Sequence, residues 1–476
     1  MQYLRFYFAL LAPLISLPRM EGKPDMAHTR DMTKGSPARL LTGFALPLTI
    51  GSMCQQLYTM TDAAVVGNYI GIEALGAVGA ADWLNWLVLG LMMGFTQGFT
   101  ILTAQRFGAE DMRGLRKSVT QSLIMTALIS VVVTALGLTL MRPVLRLMNT
   151  PAESFAGAVQ YLTVMYSGII VMAGYNAFAS ILRALGDSRN PLIAMIIASA
   201  MNIALDLLFV VVFHWGITGA AVATVAGQVF SCVYCAVCVF RVPVLKLRRE
   251  DWRFDAPVVR GIMRLGAPMA FQNGTIGIGG LAVQSVVNGF GYIFLAGFTA
   301  TNKLYGLLEL AATNYGYSMA TYAGQNLGAG KYDRIRLGLR TAVKIGLGIS
   351  ACISVAMFVF GSKAVAVFVS DPDPAVVAEG VRIGTTYLRF MAACLPVLYM
   401  LHIYRSANQG MGDTFMPMIS GFVELAMRVL VALFLPLLIG ENGVFIAEVS
   451  AWIGAVFILI PAYYHRIHGY PRDGAA

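Results

Sequence analysis

The sequence has little charge. Only 12% of its 476 residues are Asp, Glu, Lys or Arg, about half the share found in an average soluble protein. Hydrophobic residues make up 58%. This composition excludes an ordinary water-soluble domain. It predicts an all-α polytopic membrane protein, because a helix satisfies its own backbone hydrogen bonds in lipid.

Apolar runs long enough to cross about 30 Å of hydrocarbon occur about twelve times along the chain. We therefore predict twelve transmembrane helices, near residues 40–64, 74–104, 118–141, 155–182, 191–213, 217–240, 258–289, 293–324, 337–369, 376–405, 414–439 and 443–464.

The net charge of +10 is unevenly distributed. If the N-terminus is cytoplasmic, alternate connections on that side hold most of the Lys and Arg residues, and the opposite connections hold Arg142, Arg146, Lys363 and Arg382. The positive-inside rule then predicts a multi-pass protein of the cell (inner or plasma) membrane with both termini in the cytoplasm. The distribution argues against nucleic acid as a partner.

Residues that form metal centres and catalytic sites are few. Cys232, Cys235 and Cys238 lie inside an apolar run, where residues three apart point in directions about 60° apart and do not converge on one ion. We interpret them as packing residues. The five histidines are scattered, and no HExxH or GxSxG motif occurs. The sequence predicts a protein that is not an enzyme, with no catalytic residue and no cofactor.

The N-terminal stretch of residues 1–20 contains an apolar run too short to span a membrane, and no clear small-residue cleavage site follows it. A signal-like segment is one interpretation. We prefer a start of translation at Met26 or Met32, with residues 1–31 as an N-terminal extension.

The two halves of the chain repeat each other. ILRALGDSRNPL at 181–192 returns as ANQGMGDTFMPM at 407–418, and AQRFGAE at 104–110 returns as GQNLGAG at 324–330. Echoes in the same order predict a duplication. We expect a six-helix N-terminal lobe over 32–240, a cytoplasmic linker over 241–257 and a six-helix C-terminal lobe over 258–476. An even number of spans per repeat predicts a pseudo-two-fold axis along the membrane normal.

Charges inside the predicted spans differ between the halves. The second half has three of each sign, so it can neutralise itself: Lys303, Glu309, Arg389, Glu424, Arg428 and Glu448. Within this set, Glu424 and Arg428 are spaced to pair along one helix face. The first half has Asp62, Asp82 and Asp206. Asp82 lies near an outer end, which leaves two aspartates without a cation.

Polar residues accompany these two aspartates at helical spacing. The stripes are Gln55, Tyr58, Thr59 and Asp62; Ser199, Asn202 and Asp206; Thr224, Gln228 and Ser231; and Asn176 with Ser180. Oxygen ligands around carboxylates suit sodium, and the same groups can hold a proton. The alternative is that the stripes only pack helices together, but asparagine would serve that purpose without the cost of ionisation. We therefore predict a cation-coupling site, for a proton or sodium, at Asp62 and Asp206.

Several stretches resemble the multidrug and toxic compound extrusion (MATE) family. They include FALPLTIGSMCQQLYTMTDAAVVGNYIG at 44–71, NIALD at 202–206 and GQNLGAGKYD at 324–333, and the resemblance covers residues 32–465. It implies two six-helix lobes around a central cavity and export of organic cations in exchange for protons or sodium.

The resemblance is to the branch with a cation site in the N-terminal lobe. It implies that Asp62, Asn202, Asp206 and Thr224 hold the coupling ion. We add Tyr58, Asn176, Ser199 and Gln228 as supporting polar residues, and Gln55, Gln272, Asn273 and Gln284 as a substrate cavity. Other members carry acids on the seventh and tenth helices, where this chain has Gln272, Asn273 and Arg389, so a sodium site in that lobe is not expected. Expected partners are small organic cations and membrane lipid, with the protein a monomer.

A flippase for lipid-linked oligosaccharides is the alternative function. Similar folds can serve it, but it would be expected to have a basic central cavity, and here only Lys303, Arg389 and Arg428 could contribute. A passive channel is less favoured, because no filter sequence is evident.

Overall fold

The computed structural model describes residues 29–148, 150–369 and 373–472, and every regular element in these ranges is a helix. Twelve membrane-length helices follow one another, as predicted. They are α1 Pro37–Tyr69, α2 Ile72–Gly108, α3 Met112–Leu147, α4 Ala152–Ser167 with Ile169–Ala184, α5 Arg189–Val212, α6 Gly216–Arg241, α7 Ala256–Asn288, α8 Tyr292–Gly328, α9 Tyr332–Ala366, α10 Pro374–Gly410, α11 Phe415–Ile439 and α12 Asn442–His468.

Three of these helices are interrupted, and in α11 the break lies at Leu435 between Phe415–Phe434 and Pro436–Ile439. The segments of α4 meet at Gly168 with a bend of 49°. In α5, the regular α-helix ends at Asp206, and the next six residues, Leu207–Val212, form a π-helix. A π-helical segment inside a helix often marks a functional position, and here it begins directly after the aspartate that the sequence singled out.

Eight helices contain a stretch long and apolar enough to cross a membrane, and α4 does so if its two segments count as one span. The remaining three, α1, α7 and α8, are less apolar. Part of the reason is their position, because α1 and α2 of the first half pack against α7 and α8 of the second half. Helices covered by other helices need less apolar surface than helices that face lipid.

The halves meet at one end of the bundle. This end, here called the basic face, holds residues 29–36, the linker 242–255 and residues 469–472. A Cβ atom built on Gly108 would lie 1.9 Å from the Gln325 carbonyl oxygen, and one on Gly328 would lie 1.9 Å from that of Gln105. Only glycine permits this approach of α2 and α8.

Hydrogen bonds across the basic face follow the internal repeat. Gln105 Nε2 donates to the Gly410 carbonyl at 3.1 Å, and Gln325 Nε2 donates to the Ala184 carbonyl at 2.9 Å. Each glutamine lies near the end of α2 or α8 and reaches the end of α10 or α4 in the other half. Repeat-related residues therefore make equivalent contacts on both sides of the closed end.

The segment before α1 also joins the halves at the basic face. The Arg30 amide donates to the Leu185 carbonyl at 3.1 Å, and the Met32 amide donates to Gln325 Oε1 at 2.8 Å. Met32 is fully buried. Residues 1–28 lie outside the described residues, so the start at Met26 or Met32 and the domain boundaries stay predictions.

The linker runs along the start of α3. Thr120 Oγ1 donates to the Asp251 carbonyl at 2.6 Å, and Lys117 forms an ion pair with Asp255. The Lys117 ammonium holds the pKa of the Asp255 carboxyl below its usual value. Asp255 also caps α7 by accepting from the Val258 amide at 3.3 Å. The linker thereby fixes the entry of the second half relative to α3.

Toward the opposite face, two further hydrogen bonds join the halves. Asn314 Nδ2 donates to Ser52 Oγ at 3.0 Å, which joins α8 to α1, and Asn273 Nδ2 donates to the Gly90 carbonyl at 2.9 Å, which joins α7 to α2. All four helices continue for several turns beyond these contacts. We use the name cleft for the region between α1 and α8 beyond Asn314 and Ser52, where the side chains of Gln55 and Glu309 are accessible.

Candidate functional site

Packing of α1 against α5 brings Asp62 and Asp206 together. Their carboxyl groups are close enough to interact directly. Asp62 is 8% exposed and Asp206 is fully buried. Neither oxygen of Asp206, nor Oδ1 of Asp62, has a hydrogen-bond partner among the described residues. Two adjacent carboxyl groups are therefore removed from water without the partners that buried polar groups normally have.

Asn202 and Thr224 extend this pair. Asn202 lies one turn before Asp206 on α5, is 2% exposed, and donates through Nδ2 to Thr224 Oγ1 of α6 at 3.3 Å. Its Oδ1 has no hydrogen-bond partner in the described part of the chain. The amide is thus oriented with its nitrogen bound and its oxygen free, so the site gains one more acceptor.

A narrow crevice adjoins these residues. It is lined by Tyr58, Ala198, Asn202, Thr224, Gly227 and Gln228. Of the four supporting residues predicted from the sequence, Tyr58 and Gln228 line it. The hydrogen bonds described for the other two run within their own helices, from Ser199 to the Met195 carbonyl and from Asn176 to the Met172 carbonyl.

Within the described ranges, no Lys or Arg forms an ion pair with Asp62 or Asp206. Arg183, the nearest cation considered from the sequence, is engaged elsewhere. Its Nη2 donates to Ser180 Oγ at 2.6 Å, and its guanidinium lies 5.4 Å from the Tyr317 ring of the other half. A bound proton or a small cation would therefore supply the charge that the protein does not.

The residues predicted to line a substrate cavity are placed differently from one another. Gln55 is exposed on α1, and Gln284 is half-buried and donates to Asn288 Oδ1 at 2.9 Å. Gln272 is 2% exposed and accepts from Gln409 at 3.2 Å, and Asn273 binds α2. These last two amides hold helices together in this conformation, because each binds a neighbouring helix, α10 or α2. The sequence alone does not reveal these helices as neighbours.

The family model MatE matches residues 47–208 and 268–434. The chain belongs to the MatE family. The probable multidrug resistance protein YpnP of Bacillus subtilis is 31% identical over 77% of this chain and 81% of its own length. The probable multidrug resistance protein NorM of Thermotoga maritima is 25% identical over 88% of this chain and 89% of its own length.

The fold of this MatE-family chain matches solved structures of the family. A crystal structure of MATE in complex with MaL6 superimposes with a TM-score of 0.85 over 94% of this chain and 99% of that chain, at 22% identity. The twelve helices therefore form two six-helix lobes. The two segments matched by the family begin at Pro47 in α1 and Pro268 in α7, which are equivalent in the internal repeat.

The C-terminal lobe of the MatE-family chain pairs its charges differently from the prediction. The expected pair between Glu424 and Arg428 is wrong. Glu424 instead pairs with Arg405 of α10, and Arg428 pairs with Glu448 of α12 at 2.5 Å. Spacing along α11 shows which residues share a face, but α10 and α12 pack closely enough to place opposite charges directly against that face.

Sequence reasoning also missed His402 and Arg405 of α10. His402 Nε2 lies 3.5 Å from Glu309 Oε1 of α8. The sequence contains a signal for His402, because His402, Ser406 and Gln409 follow one another at i, i+4 and i+7, the spacing of one helix face.

Proposed function

We propose that the protein exports amphipathic organic cations or drugs in exchange for protons or sodium ions, by alternating access between its two lobes. The observation that carries the proposal is the pair Asp62 and Asp206, buried side by side with carboxyl oxygens that have no hydrogen-bond partner among the described residues. Asparagine would pack equally well, so carboxylates at these positions are best explained by reversible binding of a cation.

The relatives support the drug-export part of this proposal. YpnP and NorM, to which the chain is similar over most of its length, are both named as probable multidrug resistance proteins. The transported ion is assigned to Asp62 and Asp206, with the free oxygen of Asn202 and the hydroxyl of Thr224 as further oxygen atoms. Tyr58 and Gln228 complete the surroundings. The oxygens suit either ion, so the ion itself is left to experiment.

Orientation follows from the charge distribution. With the basic face in the cytoplasm, as the positive-inside rule predicts, both termini are cytoplasmic and the protein lies in the cell inner membrane. The closure at Gly108 and Gly328 then seals the cytoplasmic side, and the cleft opens outward. In this state, ion binding at Asp62 and Asp206 favours release of the drug outside, because each ligand shifts the equilibrium by its differential affinity for the two states.

The flippase alternative finds less support in the structure. Two buried arginines of the C-terminal lobe, Arg405 and Arg428, are each bound to a glutamate. Their charge is therefore already neutralised and is not free for a pyrophosphate group.

The test is efflux of ethidium from pump-deficient cells, with a proton gradient or a sodium gradient imposed separately. The wild type is expected to follow one gradient, and Asp206→Asn is expected to lose that dependence. Glu73→Gln is the matched control, since Glu73 is an exposed acid in the first turn of α2. Efflux by Asp206→Asn equal to that of the wild type under both gradients would contradict the assignment of the site.

A further inference from the structure

Glu309 is an accessible acid in the interior of the C-terminal lobe. It lies on α8, and 37% of its side chain is exposed. Asn314, which binds Ser52 of α1, is five residues closer to the basic face, or roughly 7.5 Å along the helix. Glu309 therefore lies just beyond the contact between the lobes, where the cleft begins.

The charges around Glu309 do not balance. Two guanidinium groups, of Arg405 and Arg428, are bound by Glu424 and Glu448. Glu309 is a third carboxylate, its close partner is His402, and no Lys or Arg forms an ion pair with it among the described residues. The three carboxylates of this cluster therefore outnumber its two guanidinium groups by one.

The excess charge is located at the exposed member of the cluster. The side chain of Glu424 is 3% exposed and that of Glu448 is 16% exposed, against 37% for Glu309. Lys303 is six residues away on α8, about 9 Å along the axis, and forms no ion pair in the ranges that the structure describes. A cation that enters the cleft can therefore reach Glu309 and complete the charge balance.

Aromatic surface lies beside the carboxylate. Tyr305 is one turn from Glu309 on α8 and is half-buried. Its ring stacks on Trp452 with 5.7 Å between ring centroids. Trp452 is fully buried, so the half-buried Tyr305 ring is the aromatic surface beside the carboxylate. An aromatic ring next to a carboxylate without a Lys or Arg partner matches a ligand with a positive charge and a flat apolar body.

We propose that Glu309 binds the cationic nitrogen of the exported molecule in the cleft. The inference rests on the proposed export of organic cations and adds the residue that recognises their charge. It also separates the two binding tasks, with the coupling ion in the N-terminal lobe and the substrate charge at α8 of the C-terminal lobe.

The test is equilibrium binding of rhodamine 6G, a fluorescent organic cation, to the purified full-length protein in nanodiscs. Glu309→Gln is expected to raise the Kd about tenfold and to leave binding of the uncharged dye Nile red unchanged. Glu73→Gln is the matched control, because Glu73 is an exposed acid in the first turn of α2. His402→Gln retains the Glu309 carboxylate and is expected to bind rhodamine 6G as the wild type does, within about twofold.

Two results would overturn the inference alone. One is a Glu309→Gln variant that binds rhodamine 6G as tightly as the wild type. The other is a His402→Gln variant that loses as much affinity as Glu309→Gln, because the pair would then act through packing and not through charge. A wild-type protein that binds neither rhodamine 6G nor ethidium would contradict the proposed function as well, and this outcome is visible before any variant is compared.

Discussion

The two lobes are related by the internal repeat, but their buried charged residues are paired in different ways. In the C-terminal lobe, Arg405 and Arg428 each meet a glutamate on a neighbouring helix. In the N-terminal lobe, Asp62 and Asp206 meet each other, with no ion pair to Lys or Arg in the described residues. Contacts at the basic face, by contrast, are duplicated in Gln105 and Gln325. The contacts that close the basic face are thus the same in both repeats, whereas the buried charged residues differ between them.

The largest expected effect comes from breaking an ion pair of the C-terminal lobe. Glu424→Gln leaves the buried Arg405 guanidinium without its counterion, and the loss of one partner of a buried pair typically costs about 3–5 kcal/mol. We expect a clearly lower melting temperature in a thermal unfolding assay of the purified protein. The double variant Arg405→Met with Glu424→Met is the control and is expected to recover most of the loss. A melting temperature unchanged in Glu424→Gln would show that the pair is not structural.

A smaller effect of opposite sign is expected in the N-terminal lobe. Asp206→Asn removes an unpaired buried carboxylate, so the folded state should gain about 1–2 kcal/mol at low ion concentration. The same thermal assay measures the gain. Addition of the coupling ion should raise the melting temperature of the wild type and leave that of the variant unchanged. If Asp206→Asn unfolds at a lower temperature than the wild type, the carboxylate has a structural partner.

The smallest effects concern what the lobes share. Gln105→Ala removes one described hydrogen bond across the basic face, and Gln325→Ala removes two, to the Ala184 carbonyl and from the Met32 amide. Since each bond is worth about 1 kcal/mol, both variants should shift the protein toward the inward-open state, and Gln325→Ala should do so more strongly. Labelling of a cysteine introduced at Ala104, which is 3% exposed and faces Gly324 of the other half, reports the opening. Opening in only one of the two variants would mean that the closure is not symmetric.

Much of the fold could be predicted from the sequence. The apolar runs indicate twelve helices because lipid imposes a minimum length on each span. The repeat of Gln105 in Gln325 predicts equivalent positions, and the structure places both at the closed end. The spacing of Asn202 and Asp206 predicts one face of α5, and the packing of α5 and α6 confirms that Asn202 and Thr224 are neighbours.

Contacts between helices far apart in sequence could not be predicted. Spacing on α11 favoured Glu424 with Arg428, but the partner of Glu424 lies on α10. Gln272 and Asn273 look like cavity residues until their partners on α10 and α2 are known. In the sequence, Glu309 is one of six charged residues in the spans of the second half. Only its exposure and its contact with His402 distinguish it from the acids that pair with arginine.

The central claim is that the coupling ion binds at Asp62 and Asp206 and thereby weakens binding of the drug. The most direct measurement is the Kd of rhodamine 6G for the wild type and for Asp206→Asn, at a series of pH values and sodium concentrations. By linkage, the Kd of the wild type should rise with the concentration of one of the two ions, by about 5- to 150-fold at saturation, and that of Asp206→Asn should stay constant. A wild-type Kd that is independent of both ions, or an equal dependence in Asp206→Asn, would contradict the account.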